Sequence, residues 1–256
     1  MARSDMNDLE WDFIKRVLPD KSRGVKRVDQ RRVINGILYV LRTGIPWRDL
    51  PSEYGPYTTI YNRFNRWSYA GVWDRVMEAV ADAHNVDTVM VDGTSVRAHH
   101  AATTLKKNDA RRCLGRSRGG LGTKIHALTN QDGLPIRFEL TPGQAHDAPP
   151  CKRLLDALQP GQHVLADKAY DADWIREMIW EQGAIDVIPP KSNRKLPKGF
   201  DAELYRERNK IERFFSRLKS SFRRIATRYE KTAQNFMAMI KIAAVRLWIE
   251  SYESTA

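Results

Sequence analysis

The stretch YRERNKIERFFSRLKSSF, from Tyr205 to Phe222, decides the architecture of the chain. It contains no Pro or Gly, and its apolar residues recur at the spacing of one helix face, so it predicts a long helix against a core. Four chemically capable residues fall on a narrow stripe beside the apolar one: Tyr205, Arg208, Glu212 and Lys219. In an arbitrary charged helix, a solvated face with ion pairs four residues apart would explain this stripe better. Acids elsewhere in the chain favour a functional interpretation.

Two aspartates follow short apolar runs that predict buried strands. Residues 89–91 precede Asp92, and residues 163–166 precede Asp167. Ligands gather at the carboxyl ends of strands in open sheets, and Mg²⁺ binds carboxylate oxygens while keeping water and phosphate ligands. Each aspartate alone is better explained as a turn or strand-end residue. Together with Glu212, placed on the core-facing edge of its helix, they predict a two-metal site for phosphoryl transfer on nucleic acid.

The charge distribution indicates a polyanionic partner. The 256 residues carry a net charge of +12, and 42% of them are apolar, enough for a core. Residues 91–124 hold 8 Lys and Arg against 2 Asp and Glu, and residues 191–231 hold 14 against 5. A ribosomal-type tail would be basic throughout, whereas this chain is basic in two patches.

Several classes of protein are excluded by what the sequence lacks. Cys113 and Cys151 lie far apart and form no CxxC motif, which argues against a zinc site or a disulfide framework. The sequence has no apolar run approaching a membrane span and no signal peptide, so we expect an intracellular protein, cytoplasmic and associated with the nucleoid, without a membrane partner.

The first 86 residues show only helical patterns, and one predicted helix carries a candidate DNA-reading face. This helix, from about Thr58 to Ser68, places apolar residues at helical spacing on one side. Its other side is predicted to present Asn62, Arg63 and Arg66 outward. Because Arg can address guanine and Asn adenine in the major groove, the pattern predicts a helix-turn-helix-like DNA-binding domain. A helical packing or dimerisation domain with a wet polar face is the alternative.

From residue 87 the pattern changes to short strands, a hairpin and then alternating helices and strands. This order predicts a mixed α/β sheet flanked by helices, in a second domain over residues 87–256. A basic, Gly-rich loop from Leu105 to Gly122 precedes a strand that begins at Thr123. We predict that this loop is mobile and that it contacts DNA through four cations: Lys106, Lys107, Arg111 and Arg112.

The polar stripe of the long helix matches a known signature, Tyr-x2-Arg-x3-Glu-x6-Lys, of bacterial insertion-sequence transposases of the DDE class. Three further blocks resemble the insertion-sequence family numbered five: VDGTSVRAH around Asp92, LADKAYDAD around Asp167 and GILYVLRTGIPWRDLP in the N-terminal part. The resemblance covers nearly the whole chain, with the blocks in the family's order.

The resemblance implies a ribonuclease H-like catalytic domain with Asp92, Asp167 and Glu212 as its catalytic, metal-binding triad. Mg²⁺ is the implied cofactor, with Mn²⁺ as a substitute. In such enzymes water attacks the phosphodiester at the end of the element, and the freed 3′-hydroxyl then attacks target DNA. Only 45 residues separate Asp167 from Glu212. This spacing leaves no room for the large β-rich insertion of some relatives, so a hairpin intermediate is not implied.

The same resemblance implies the DNA contacts and the assembly. Arg208 and Lys219 would contact phosphates near the cut, and Tyr205 would pack against the DNA backbone or hydrogen-bond to it. Lys168, next to Asp167, is a further candidate contact. The implied partners are double-stranded DNA, as terminal inverted repeats and as target, and further copies of the chain, because pairing two ends requires at least a homodimer.

The histidines contribute little to this prediction. His99 and His100 flank the basic loop, where phosphate contact or plain solvation explains them. His126 alternates within a predicted strand and is expected to be structural. His146 and Asp147 lie in a loop that could approach the active site.

Two other functions compete with a transposase. A metal-dependent nuclease of similar fold would cut DNA without joining it. A non-catalytic DNA-binding protein, such as a repressor, would use only residues 1–86, although the presence of all three acids counts against it.

Overall fold

The computed structural model describes residues 5–19, 28–81, 86–106 and 109–255. The chain divides into two compact units. The first comprises Met1–Ala83, His99–Arg112 and Leu218–Ala256, and the second His84–Ala98 and Cys113–Arg217. The predicted boundary after residue 86 stays a prediction. Each unit is made of separate stretches of the chain, so no single position divides them.

The described residues contain helices in both units, and none of these helices combines the length and apolar character needed to cross a membrane. In chain order they are α1 (Asp8–Lys15), α2 (Gln30–Thr43), α3 (Tyr57–Tyr69), α4 (Val72–Ala81), α5 (Cys151–Leu154), α6 (Asp173–Glu181), α7 (Ala202–Tyr205), α8 (Asn209–Ser221), α9 (Arg223–Ala226) and α10 (Ala233–Thr255).

The ends of α2 follow the signals in the sequence. Asp29 caps its start, because the side chain accepts hydrogen bonds from the backbone N–H groups of Arg31 and Arg32. Gly44 ends it in the left-handed conformation, with φ of 76°. The N-cap aspartate and the C-terminal glycine in the sequence therefore coincide with the two ends of this helix.

The first unit is helical, and α10 lies in its core. Phe236, Ile240 and Trp248 of α10 are buried. The guanidinium of Arg246 in α10 donates from Nε to Oε1 of Glu10 in α1 at 2.9 Å. Burial raises the pKa of Glu10, and the charge of Arg246 opposes that rise. A buried ion pair therefore joins the first and last helices of this unit.

The second unit is built on a mixed sheet. Its strands, in chain order, are β1 (Thr88–Ala98), β2 (Gly115–Ser117), β3 (Gly120–Asn130), β4 (Pro135–Pro142), β5 (His163–Ala166) and β6 (Ile185–Val187). The two-residue β7 (Thr227–Arg228) belongs to the first unit. In the second unit, β4, β3 and β1 are antiparallel neighbours, and β1, β5 and β6 continue the sheet in parallel. The predicted mixed sheet is confirmed.

The strand β1 is longer than the sequence predicts. The segment Asp92-Gly93-Thr94-Ser95 reads as a turn, but β1 continues through it to Ala98. Its parallel pairing with β5 ends at Val91 opposite Ala166, whereas its antiparallel pairing with β3 extends to Arg97. The turn interpretation was wrong because a partner strand on one side is enough to hold these residues extended.

The described part of the basic loop contains regular secondary structure that the sequence does not predict. Residues Ala110–Arg112 form a 3-10 turn, and β2 pairs with the start of β3 in a tight hairpin. Gly120 has φ of 102°, which a glycine adopts without strain and which allows this turn. As a result β3 begins at Gly120 and not at Thr123.

Both faces of the sheet are covered within the second unit. On one face, Val89, Val91 and Val164 pack with Leu154 of α5 and with residues of α6 in a single apolar cluster. On the other face, the Phe138 ring of β4 lies 6.1 Å from the Phe214 ring of α8. The long helix that the sequence singled out therefore packs on the sheet.

Candidate active site

Asp92 and Asp167 lie next to each other at the point where the parallel pairing of β1 and β5 ends. Val91 and Ala166 form the last pair of that ladder. The two aspartates are the next residues of each chain segment, and neighbouring strands are about 4.8 Å apart. The structure thus brings these two predicted site residues together.

The carboxylate of Asp167 is held by the turn that follows it. Its Oδ1 accepts a hydrogen bond from the backbone N–H of Ala169 at 2.8 Å and caps the short 3-10 turn Lys168–Tyr170. The side chain is partly exposed, and Lys168 beside it is exposed. Asp167 is therefore oriented by the backbone and still open to a ligand.

The carboxylate of Asp92 is more enclosed, with 19% of its side chain exposed. It accepts hydrogen bonds from the Gly93 backbone N–H at 2.8 Å and from Nη1 of Arg208 at 2.9 Å. Burial raises the pKa of Asp92; these hydrogen bonds and the charge of Arg208 oppose the rise, and the charge of Asp167 adds to it. A cation beside two neighbouring carboxylates offsets the repulsion between them.

The long helix is interrupted, although the sequence predicts one continuous helix. It begins at Ala202 as α7, passes through a 3-10 turn at Arg206–Arg208, and continues as α8 to Ser221. Phe222 is extended and not helical. Of the signature residues, Tyr205 therefore lies in α7, Arg208 in the 3-10 turn, and Glu212 and Lys219 in α8.

The guanidinium of Arg208 bridges two of the predicted catalytic acids. Nη1 donates to Asp92, and Nη2 donates to Oε1 of Glu212 four residues further along. This contact is an ion pair between residues four positions apart, the kind of pair that the solvated-face alternative implies. The predicted core-facing position of Glu212 is wrong, since 56% of its side chain is exposed. The core-facing positions of α8 are taken by apolar side chains, including Phe214.

The aromatic residue of the signature packs beside this arginine. The Arg208 guanidinium lies 5.8 Å from the centre of the Tyr205 ring. The Tyr205 ring in turn meets the Phe200 ring edge-on at 5.5 Å. Tyr205 therefore supports the guanidinium from one side.

Lys219, the last residue of the signature, is seven positions beyond Glu212 on α8 and belongs to the first unit. It is half-buried, and burial lowers the pKa of its ammonium group. The DNA contact predicted for it stays a prediction.

The described residues offer a partial fit to a divalent ion. Asp92 and Asp167 present adjacent carboxylates, the oxygen ligands that Mg²⁺ and Mn²⁺ bind. In the described part of the chain, however, no three His, Cys, Asp or Glu side chains are grouped to hold a metal ion. Glu212 is paired with Arg208 and is not assembled with the two aspartates. The donor set therefore fits a hard cation at two ligands.

The predicted DNA-reading face of α3 is only partly at the surface. Asn62 and Arg66 are exposed, as predicted. Arg63 is only 5% exposed, and its guanidinium lies 5.3 Å from the centre of the Trp67 ring. Its predicted outward orientation is therefore wrong. The helical wheel placed it on the polar side, but the neighbouring helices cover more of α3 than its apolar residues suggest.

The cations of the basic segment also differ from one another. Lys106 and Arg111 are exposed, and Arg111 pairs with Asp109 at 2.6 Å. Arg112 is buried and donates to the carbonyl of Lys106, so it does not fit the surface contact predicted for it. Lys107 lies outside the described residues.

A cluster behind Gly93 was not predicted. His126, opposite Gly93 in the register of β1 and β3, is fully buried, and burial lowers the pKa of its imidazole. Its Nε2 is 2.8 Å from Oγ1 of Thr141, and its Nδ1 is 3.9 Å from Oδ1 of Asp147. Asp147 also accepts a hydrogen bond from Lys124 at 2.9 Å. The glycine after Asp92 was the signal for this close approach, but its partner could not be named without the strand register.

Two protein-family models match the chain. Residues 6–77 match a family described as a putative transposase of the IS4/5 family, and residues 87–248 match the transposase DDE domain. Together they span the helical N-terminal part and the sheet with its flanking helices.

Two of the curated relatives are insertion-sequence proteins. Over 131 residues the chain is 42% identical to the putative transposase for insertion sequence element IS6501 of Brucella ovis, covering 50% of this chain and 98% of the relative. Over 119 residues it is 37% identical to an uncharacterized 16.2 kDa protein of insertion element IS402 from Burkholderia cepacia, covering 41% and 81%.

Among solved structures, a piggyBac transposase synaptic complex with hairpin DNA superimposes with a TM-score of 0.52 at 10% identity, covering 97% of this chain and 73% of that one. The predicted ribonuclease H-like fold, with a helical region before it, is confirmed. The sequence matches and the sheet with its acids agree, and the chain belongs to the transposase DDE domain family, as a bacterial insertion-sequence transposase of the IS4/5 type.

Proposed function

We propose that this transposase cleaves DNA at the ends of its element and joins the 3′-hydroxyl to target DNA by transesterification at bound divalent ions. The observation that carries the proposal is the adjacency of Asp92 and Asp167 at the end of the β1–β5 ladder. In a protein with a net charge of +12, such acids would repel a phosphodiester unless a cation lay between them.

Asp92, Asp167 and Glu212 are the residues that would hold Mg²⁺, or Mn²⁺ in its place. When bound, two such ions supply activation of the attacking oxygen and stabilisation of the leaving oxygen. The residues of the chain fix the geometry: Gly93 and Ala169 orient the two aspartates through their backbone N–H groups. Glu212 becomes available once Arg208 releases it.

The DNA itself would be held by cations of the chain. Arg208 and Lys219 are proposed to bind phosphates near the cut, with Tyr205 against the backbone and Lys168 beside the acids. In the helical unit, Asn62 and Arg66 are the exposed candidates for reading the terminal inverted repeats. The piggyBac structure is that of a synaptic complex with DNA, which supports our proposal that this chain also pairs two DNA ends as a homodimer or a larger assembly.

A strand-transfer assay tests the proposal. The purified protein is incubated with Mg²⁺ or Mn²⁺ and with duplex DNA copied from the sequences that flank its gene. We expect joined products from the parent protein and none from Glu212→Gln. The control is Glu203→Gln, an exposed acid of α7, which we expect to join DNA normally.

The other functions are outcomes of the same assay. Cleavage without joined products would assign a nuclease, and DNA binding without chemistry in either metal would assign a regulatory DNA-binding protein. Inverted repeats around the coding sequence, with short duplications outside them, would independently support a mobile element.

A further inference from the structure

We propose that Arg208 is a positioning residue that occupies the acid centre as an internal cation until a DNA phosphate withdraws it, so that divalent ions bind tightly only after DNA. This inference rests on the proposed function, because it assumes that Asp92 and Glu212 are metal ligands. It adds that the free protein keeps these ligands engaged with its own side chain.

The first argument is that Arg208 and a metal ion would compete for the same oxygens. Nη1 of Arg208 is 2.9 Å from Oδ2 of Asp92, and Nη2 donates to Oε1 of Glu212. A cation coordinated by either oxygen from the same direction would be repelled by the guanidinium. The competition is strong because only 15% of the arginine side chain is exposed.

The second argument is that the acid centre contains more negative charge than the described protein neutralises. Asp92 and Asp167 are adjacent, and among the described residues Arg208 alone forms an ion pair with Asp92, whereas Asp167 has no such pair. Removing Arg208 without a substitute would leave a desolvated acid beside a second one. Its departure is therefore favourable only when another cation arrives.

The third argument is that a DNA phosphate is a matching alternative partner for Arg208. A guanidinium binds phosphate with two parallel hydrogen bonds, as it now binds two carboxylates. The residue ends the 3-10 turn Arg206–Arg208 between two α-helical segments. Such a turn inside a helix is a frequent place for a local change of conformation. A small shift there would move Arg208 and release Glu212 together.

These steps explain why the described residues do not group three metal-ligating side chains. The third acid is held by the arginine that DNA is proposed to remove. Because coupling between two ligands is reciprocal, bound divalent ions must also strengthen the binding of DNA. The device would keep a basic, DNA-binding protein from assembling its cleavage centre before a phosphate is in place.

Direct binding of Mn²⁺ tests this inference without relying on activity. Free Mn²⁺ is measured by electron paramagnetic resonance during titration of the DNA-free protein, and the site-specific part is the binding lost in Asp167→Asn. We expect Arg208→Gln to tighten this binding about tenfold, the effect of losing one competing charge-assisted hydrogen bond of about 1.4 kcal/mol. Arg208→Lys keeps the positive charge but lacks the two parallel N–H donors of the guanidinium, and we expect its Mn²⁺ affinity to be intermediate.

The matched control is Arg213→Gln, which removes an exposed charge of α8 that, among the described residues, forms no ion pair with Asp92 or Glu212. We expect it to leave the Mn²⁺ affinity at the parent value. Addition of duplex DNA copied from the gene's flanks should raise the Mn²⁺ affinity of the parent protein. The difference in Mn²⁺ affinity between the parent protein and Arg208→Gln should then become smaller.

Each result decides between the claims. Equal Mn²⁺ affinities of the parent and Arg208→Gln proteins, or equal gains in Arg208→Gln and Arg213→Gln, would overturn the role of Arg208 and leave the proposed function standing. No binding that depends on Asp167, with or without DNA, would overturn the proposed function as well. Unchanged thermal unfolding of Arg208→Lys shows that its affinity reports on the site and not on misfolding.

Discussion

Gly93 has no side chain, and the side chains of His126 and Asp147 occupy the space that a side chain at this position would need. A Cβ atom at this position would lie 2.9 Å from Nδ1 of His126 and 3.5 Å from Oδ1 of Asp147. His126 cannot give way easily, because it is fully buried and its other ring nitrogen is 2.8 Å from the Thr141 hydroxyl oxygen. The strand that carries Asp92 can approach β3 only because residue 93 has no side chain.

We therefore expect Gly93→Ala to destabilise the protein by about 1–3 kcal/mol, the usual effect of overpacking a tight site. Urea unfolding measures this change. The control is Gly199→Ala, where a Cβ would meet no atom within 4 Å, and we expect it to change stability by no more than about 0.5 kcal/mol. Equal stabilities of the two variants would contradict the assigned role of Gly93.

At the scale of single residues, the sequence alone selects Asp92 and Asp167 as candidate site residues, because each follows an apolar strand pattern. The cluster of His126 and Asp147 could not be found, since it depends on which residue of β3 faces Gly93. The outward orientation of Arg63 was wrong because burial of a helix face depends on neighbours that periodicity does not reveal.

At the scale of elements, ion pairs fix helices that are distant in the sequence. The Arg246–Glu10 pair joins α10 to α1, and Glu10 is only 1% exposed. Removing one partner of a buried pair leaves an uncompensated charge, which is more destabilising than replacing both.

We expect Arg246→Met to lower the free energy of unfolding by about 3–5 kcal/mol at neutral pH. Burial already raises the pKa of Glu10, and without Arg246 it rises further. Because the pKa of Glu10 is raised in the folded state, the loss of unfolding free energy in Arg246→Met is small below the unfolded pKa of Glu10, near 4.5. The loss grows as the pH increases through the folded pKa. Urea unfolding across this pH range tests the sign.

The double variant Glu10→Gln with Arg246→Met should recover much of the loss, and its stability should depend less on pH. Lys241→Met, which breaks the more exposed pair with Asp74 on the same helix, is the control with a small expected effect. A deficit in Arg246→Met that grows on acidification would contradict this account.

The elements themselves were predictable to different degrees. The long amphipathic helix and the mixed sheet follow from periodicity and element order. The 3-10 turn at Arg206–Arg208 and the continuation of β1 beyond Asp92 do not. The sequence carries no breaker residue at the turn, and the length of β1 depends on its pairing with a neighbouring strand.

At the scale of the whole molecule, charge is the property that the sequence states most clearly. Residues 91–124 and 191–231 hold the excess of Lys and Arg, and several of these Lys and Arg side chains are exposed. The hairpin between β2 and β3 presents Arg116 and Arg118 at the surface. If they contact phosphates, they contribute to affinity by releasing counterions.

We expect the double variant Arg116→Gln with Arg118→Gln to weaken DNA binding and to reduce the slope of log K against log salt by about 1.8, or about 0.9 for each lost contact. Fluorescence anisotropy over a salt series measures both. Arg137→Gln, a surface cation paired with Asp156 elsewhere in the sheet unit, serves as the control and should leave the slope unchanged. An unaltered slope in the double variant would show that the hairpin does not contact DNA.

The most direct test of the central claim, that these acids hold the ions at which strands are cut and joined, is a change of metal specificity. Asp92→Cys offers a soft thiolate, which Mn²⁺ accepts better than Mg²⁺ does. We predict that strand transfer by Asp92→Cys is lost with Mg²⁺ and partly restored with Mn²⁺, while the control Ser95→Cys, on the same strand, joins DNA in both metals. Full activity of Asp92→Cys with Mg²⁺ would contradict the assignment of Asp92 as a metal ligand.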